Sequence, residues 1–283
     1  MRGVSACGVD GALRVWTSPD KHATVLTAQI RAVEIRRMAI KKKQRRDYGK
    51  DDQGMRRPGV TTVIGGTLGW SKDSLMHWAA RESAKATAAY IIEGAAIEDA
   101  VERGHRAPWT ARGAAADAGT LAHSYVEAYL RSGARVSGDV YDDETEVQQR
   151  ARVAYDRVVA WWPTSGYEVV EAELALVDEA AHYGGTVDMV LRRRSDGATI
   201  VGDLKTGKSV YDEVAIQLGA YAVLLGQAGH DVAGGLVVHA PIDGPLSTIE
   251  VDKATLAVGA AAFTSLLHLH RAKASLKLTT GAT

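Results

Sequence analysis

Two aspartates and one lysine lie where they could share a reactive site. Asp188 lies in the apolar segment 186–192, and Asp203 lies in the apolar segment 199–204 with Lys205 directly after it. Both segments have the composition of β-strands. Two carboxylates among apolar residues are costly to bury unless a positive charge lies between them. A divalent cation that prefers oxygen ligands, Mg²⁺ or Mn²⁺, would supply that charge.

The turn between the two segments predicts how these side chains are arranged. Ser195-Asp196-Gly197 is typical of a hairpin, and a two-residue turn at Asp196-Gly197 would pair Asp188 with Lys205 and Val190 with Asp203. Cross-strand partners share a face, and so do residues two apart on one strand. The two aspartates and the lysine are therefore expected on one face, within about 5–8 Å. A lysine beside a metal can orient an attacking water and offset charge on a phosphoryl oxygen, which is the chemistry of phosphodiester hydrolysis.

Further polar residues follow the same order as a known family. Gln217 and Tyr221 are four apart on a predicted helix, so they share a face, and His123 lies in a helix predicted to begin near Thr120. Together, four elements resemble the RecB-type nuclease domain, a branch of the PD-(D/E)xK superfamily that includes phage-encoded and CRISPR-associated exonucleases. These elements are His123, Gly185-Thr186-Val187-Asp188, Asp203-Leu204-Lys205-Thr206 and Gln217-x-x-x-Tyr221. The resemblance spans about residues 58–251.

The resemblance implies a role for each matching position. It implies Mg²⁺ or Mn²⁺ bound by His123, Asp188, Asp203 and the backbone carbonyl of Leu204. It makes Lys205 the catalytic lysine, and it has Gln217 and Tyr221 orient this centre and the DNA backbone. Glu173, on the strand before the hairpin, matches a position that is often acidic and is expected to support the centre. Some relatives hold an iron–sulfur cluster with four cysteines, whereas the single Cys7 excludes such a cluster here.

The activity that the resemblance implies is metal-dependent hydrolysis of DNA by an exonuclease. The settings that it implies are recombination, repair or phage genome processing. A recombination protein or a single-strand-binding protein is then an expected partner. An alternative that stays open is a catalytically inactive DNA-binding subunit of a recombination complex.

A second alternative comes from a different motif in the same segment. Gly202-Asp-Leu-Lys-Thr-Gly207-Lys208-Ser209 satisfies G-x-x-x-x-G-K-[ST], the phosphate-binding loop of NTPases. Only 74 residues follow Ser209, too few for the usual nucleotide-binding core. The later apolar segment 236–240 also lacks the terminal acidic residue that such proteins place on magnesium. An NTPase would leave Asp188 and His123 unexplained.

Charge and periodicity divide the chain. The whole sequence is neutral, with 34 Lys+Arg and 34 Asp+Glu, but the segment 31–57 carries a local excess of positive charge. We predict a basic, poorly ordered extension over 1–57 and a nuclease domain over 58–283, mainly helical to 163 and sheet-bearing from 164. The predicted class is α/β (α+β), a restriction-endonuclease-like core whose mixed central sheet is flanked by helices, with an N-terminal helical region. Because the sequence has no apolar run of about 18 residues, we expect no membrane-spanning segment. We expect a cytoplasmic location.

Overall fold

The computed structural model describes residues 47–51, 54–68, 72–135 and 145–276. The helices in these ranges are α1 (Val60–Thr67), α2 (Lys72–Ile92), α3 (Ile97–Ser132), α4 (Glu146–Trp161), α5 (Glu213–Gln227) and α6 (Lys253–Ser275). The strands are β1 (Tyr167–Asp178), β2 (Tyr183–Arg193), β3 (Thr199–Lys205), β4 (Val232–His239) and β5 (Ser247–Asp252). Among the described helices, none combines the length and apolar composition needed to span a bilayer.

The five strands form one sheet in chain order, β1-β2-β3-β4-β5. Neighbours are antiparallel except β3 and β4, which are parallel because the chain returns through α5 between them. A parallel pair needs such a crossover, since a tight turn can join only antiparallel strands. The mixed α/β sheet predicted from the change of periodicity is therefore present.

Helices cover both faces of the sheet, which explains why β3 and β4 are almost continuously apolar. On one face, α1, α5 and α6 bury a cluster that includes Val63, Leu218 and Phe263. On the other face, α4 and the C-terminal half of α3 bury a cluster that includes Tyr125 and Tyr155. The site residues of β2 and β3 are held between these two packed layers.

The register of the β2–β3 hairpin differs from the prediction. Met189 pairs with Gly202 and Arg192 pairs with Thr199, so the strands are displaced by two residues from the register of a two-residue turn. The connection is longer than two residues. Arg193 N–H donates to the Ala198 carbonyl and Gly197 N–H donates to the Arg193 carbonyl, with Gly197 in the left-handed region (φ 74°). Continued by one step, this register places Asp188 opposite Asp203 rather than opposite Lys205. A shift of two preserves side-chain parity, so the predicted common face survives.

The helix that carries His123 is also longer than expected. The sequence predicted an N-terminus near Thr120, but α3 runs without a break from Ile97 through this segment. A side chain that favours a helix N-terminus opposes continuation of the helix only weakly. Burial keeps this segment helical, because Ala118 and Ala122 are packed against neighbouring elements. His123 therefore lies in the C-terminal half of a 36-residue helix rather than in its first turn.

Candidate active site

Six of the eight predicted site residues line one open cavity of about 1150 Å³ between the sheet, α3, α5 and the N-terminal segment, whereas Glu173 and Leu204 are not among the residues on its wall. The six on the wall are His123, Asp188, Asp203, Lys205, Gln217 and Tyr221. Each comes from the element predicted for it, which are a helix, two adjacent strands and the crossover helix.

Asp188 is held by contacts from two other elements. Its Oδ2 accepts a hydrogen bond from the Leu204 backbone N–H at 3.0 Å, and the same oxygen lies 3.2 Å from His123 Nδ1. The side chains of His123 and Asp188 are 21% and 15% exposed, so both reach the cavity while remaining largely packed. A helix residue and a strand residue 65 positions later thereby present donor atoms to the same point.

Gln217 organises the second half of the site. Its Nε2 donates to Asp203 Oδ1 at 2.8 Å and lies 3.1 Å from Tyr221 Oη, while its Oε1 accepts from Lys205 Nζ at 3.0 Å. Lys205 Nζ also lies 2.8 Å from Asp203 Oδ2. Tyr221 can lie against β2 because Gly185 has no Cβ, which would come within 2.7 Å of the tyrosine ring. One turn of α5 thus positions both charged residues at the end of β3.

Glu173 lies closer to His123 and Asp188 than the sequence suggested. Its side chain is 7% exposed, and one carboxylate oxygen lies within 4.8 Å of ligand atoms of His123 and Asp188. Its backbone is left-handed (φ 52°) within β1, a conformation that costs a non-glycine residue about 1–2 kcal/mol. Around it, Ala172 and Leu174, which share a face in a regular strand, pack into opposite clusters. The distortion gives Glu173 a place at the centre that strand alternation alone does not predict.

The two aspartates have opposite electrostatic environments. Burial alone would raise the pKa of Asp188, but His123, the Leu204 N–H and Lys205 together hold that pKa below its ordinary value. Burial raises the pKa of Asp203; Lys205 opposes this and the Asp188 charge reinforces it, and the net pKa lies above its ordinary value. Without a cation, the site therefore favours one charged carboxylate and one that retains its proton more readily.

The donor atoms fit a divalent cation. Within the described residues, the buried Asp203 Oδ2 forms an ion pair with the Lys205 ammonium at 2.8 Å but accepts no hydrogen bond of acceptable geometry, so it can also accept a metal or its water. Backbone groups of successive strand residues point to opposite neighbours. Because the Lys205 carbonyl accepts from Ala240 N on the β4 side, the Leu204 carbonyl faces the β2 side, where its N–H meets Asp188. Carboxylates, a carbonyl and one imidazole form a set that suits Mn²⁺ or Mg²⁺.

Several cavity residues escaped the sequence analysis. Tyr48, Arg56 and Arg112 line the cavity, and the Tyr48 hydroxyl lies 3.1 Å from Thr186 Oγ1, two residues before Asp188. Arg57 forms an ion pair with Glu179. The described residues between 47 and 57 therefore pack on the sheet, whereas residues 1–46 of the predicted extension lie outside the described ranges. The basic segment that contains Tyr48 and Arg56 has no helical or strand periodicity, so no pattern in the sequence singled out these two residues.

The NTPase-like motif has the wrong surroundings for a phosphate loop. In such a loop the Lys and Ser open a helix whose N-terminus faces the phosphates. Here α5 begins only at Glu213, and both Lys208 and Ser209 are exposed before it. Lys205, inside the same motif, is instead bonded to Asp203 and Gln217. This geometry disfavours the NTPase hypothesis.

Of the comparisons with known proteins, the match to a family model agrees with this arrangement at the level of the superfamily. Among solved structures, one titled "Crystal structure of SSO0001" is similar to this chain with 16% sequence identity and a TM-score of 0.27. That match covers 41% of this chain and 57% of the other, and it adds nothing about function. No curated protein matches the chain. The family model described as the PD-(D/E)XK nuclease superfamily matches residues 100–266, which include every predicted site residue. The chain therefore belongs to the PD-(D/E)XK nuclease superfamily.

Proposed function

We propose that this protein is a divalent-metal-dependent exonuclease that hydrolyses phosphodiester bonds in DNA. The observation that carries the proposal is the single cavity in which Asp188, Asp203 and Lys205 share one face of the sheet with His123 beside them. Membership of a nuclease superfamily supports hydrolysis. The RecB-type order of motifs supports the more specific exonuclease activity.

The cation would be Mg²⁺ or Mn²⁺, held by His123, Asp188, Asp203 and the Leu204 carbonyl, with Glu173 as a further carboxylate within reach. When bound, it would lower the pKa of a water and polarise the scissile phosphate. No iron–sulfur cluster is part of the proposal.

The protein groups around that centre have separable tasks. Lys205 carries a positive charge where the attacking water and a phosphoryl oxygen would meet, so it orients the first and offsets charge on the second. Gln217 holds the Lys205 ammonium with its amide oxygen and Asp203 with its amide nitrogen. Tyr221, beside the Gln217 amide, limits the rotation of that side chain.

The wider setting extends the same proposal. The RecB-type resemblance supports recombination, repair or phage genome processing in the cytoplasm, with a recombination or single-strand-binding protein as partner. We also propose that residues 58–283 form the nuclease domain. The described residues between 47 and 57, which contact it through Tyr48 and Arg57, would complete its cavity.

The deciding experiment is cleavage of end-labelled linear DNA, single- and double-stranded, beside a closed circle, in Mg²⁺, Mn²⁺ or EDTA. Wild type is compared with Asp203→Asn and Lys205→Ala, and each variant is checked for folding by thermal unfolding. Metal-dependent loss of linear DNA, abolished in both variants and sparing the circle, is the expected result. Cleavage of the circle would instead make the enzyme an endonuclease.

Lys208→Ala is a matched control, because it removes an exposed lysine three positions from Lys205. We expect it to cleave DNA like wild type. ATP binding that is lost in this variant would favour the NTPase hypothesis. Intact DNA binding without cleavage in any metal would favour an inactive binding subunit.

A further inference from the structure

Helix α3 continues far beyond the sheet, and its cavity-lining face continues with it. Its C-terminal half packs on the sheet, whereas Gly104 and Pro108 in the other half are buried and Gly104 lies directly against Thr87 of α2. The residues between His123 and Trp109 that share the His123 side of the helix are Thr120, Gly119, Ala116 and Arg112, at helical spacing. All four line the catalytic cavity.

Trp109 stands at the far end of this face. It is 65% exposed, and its ring packs against His105 one turn earlier, with centroids 5.2 Å apart, which restricts its rotamers. Fourteen residues at 1.5 Å each place it about 21 Å from His123 along the axis. An exposed indole that faces the same way as the catalytic centre is available to stack on a base.

Ion pairing of the arginines distinguishes this face of α3 from the rest of the helix. Arg103 pairs with Asp99, and Arg106 pairs with Glu102. Arg112 has no carboxylate within ion-pair distance among the described residues, and it lies between the cavity and Trp109.

We propose that this face of α3, which we call the α3 track (Trp109, Arg112, Ala116 and Thr120), binds the single-stranded part of a nucleic-acid substrate. Arg112 contacts a backbone phosphate, and Trp109 stacks on an unpaired base about six stacked nucleotides from the metal centre, at 3.4 Å each. A single strand fits better than a duplex because stacking between neighbouring base pairs in a duplex covers the base faces that an indole needs. The inference rests on the proposed nuclease function and adds a strand preference to it.

Binding is tested apart from cleavage by fluorescence anisotropy in EDTA, with fluorescein-labelled dT20, dT3 and a 20-base-pair duplex. Trp109→Ala should weaken dT20 binding about tenfold, as expected when one stacked base is lost, and Trp109→Phe should restore most of it. Neither variant should change binding of dT3 at the catalytic cavity. Ile92→Ala, which trims an 85% exposed side chain on the neighbouring helix, is the control and should bind like wild type.

Salt dependence separates the two residues. Arg112→Ala should reduce the slope of log Kd against log salt by about 0.7, the value for one single-strand phosphate contact. Trp109→Ala should leave that slope unchanged. In Mn²⁺, Trp109→Ala should raise KM for dT20 more than it changes kcat, as expected for a residue that contacts the substrate far from the metal centre.

Three results would overturn the α3 track. The first is unchanged dT20 affinity in Trp109→Ala. The second is an equal loss in Ile92→Ala. The third is an oligomer, measured by light scattering, that dissociates in Trp109→Ala while DNA affinity stays constant, which would assign the tryptophan to a contact between copies. Because binding is measured in EDTA, absent hydrolysis with intact track binding would refute the proposed nuclease function separately.

Discussion

Lys205 Nζ lies 2.8 Å from Asp203 Oδ2, a contact between side chains two positions apart on one strand. The two-residue period of a strand puts both side chains on one face. Burial then keeps them together, since Asp203 is only 1% exposed. The two-residue repeat of a strand therefore explains both the spacing of Asp203 and Lys205 in the sequence and their contact in the site.

Gln217→Ala should lower kcat for DNA cleavage about 10- to 100-fold, the usual effect of losing a residue that orients a metal centre, with a smaller change in KM. The reason is that Lys205 and Asp203 both lose their hydrogen bonds to the same amide. Gln227→Ala is a matched control, because Gln227 lies on the same helix and bonds to Asp178 away from the cavity. Equal kcat values for the two variants would contradict the positioning role.

Glu173→Gln should raise the Mn²⁺ concentration needed for half-maximal activity at least tenfold, because it removes a carboxylate near His123 and Asp188. Glu171→Gln, two residues earlier and exposed, should match wild type. Metal titrations of cleavage and of calorimetric Mn²⁺ binding provide the check. A Glu173→Gln protein that binds Mn²⁺ like wild type would remove Glu173 from the centre.

The metal-free site should become a source of instability as pH rises. Since the pKa of Asp203 is raised in the folded protein, the folded state holds this proton more tightly than the unfolded chain. The associated stability is present below the ordinary carboxyl pKa near 4, and it is lost as pH rises through the higher folded value. Asp203→Asn should therefore gain stability relative to wild type as pH rises from about 4 to about 6, and the difference should be constant at higher pH. Urea unfolding in EDTA measures this difference, and a pH-independent difference would argue against the shift.

Gly184→Ala tests whether Tyr48 is firmly packed against β2. An added Cβ would overlap the Tyr48 ring, so we expect a loss of about 1–3 kcal/mol in the free energy of unfolding, typical of overpacking. Gly113→Ala, with open space around it in α3, should instead gain about 0.5–1 kcal/mol from helix propensity. Urea unfolding compares the two. Unchanged stability of Gly184→Ala would mean that the Tyr48 segment is not firmly docked.

The hairpin shows how far local sequence reasoning reached. The common face of Asp188, Asp203 and Lys205 was predicted correctly although the register was displaced by two residues. A face depends only on side-chain parity, whereas the register depends on the conformation of the connecting turn. That turn is decided by the Gly197 backbone and the bonds across the loop, which the Asp-Gly pair alone does not specify.

Glu171 and Glu173 show what could not be predicted from the local sequence. The family resemblance singled out Glu173, but strand alternation alone makes it equivalent to Glu171, and no local signal separates an exposed glutamate from a buried one. The left-handed turn of the backbone at Glu173 makes the distinction, and only contacts with neighbouring elements can maintain such a conformation. Tyr48 and Arg112 entered the cavity in the same way, through packing of distant segments.

The sequence by itself determined the strand and helix periods, the shared face of the acidic pair with the lysine, and the ordered motifs of a nuclease superfamily. These properties follow from local geometry, in which side chains repeat every two residues in a strand and every 3.6 in a helix. The family resemblance implied a shared centre for His123, Asp188 and Glu173, but only the tertiary structure decided the contacts that bring them together and the extension of α3 from the cavity to Trp109. Those relationships join residues tens of positions apart, and burial and packing, rather than local propensity, fix them.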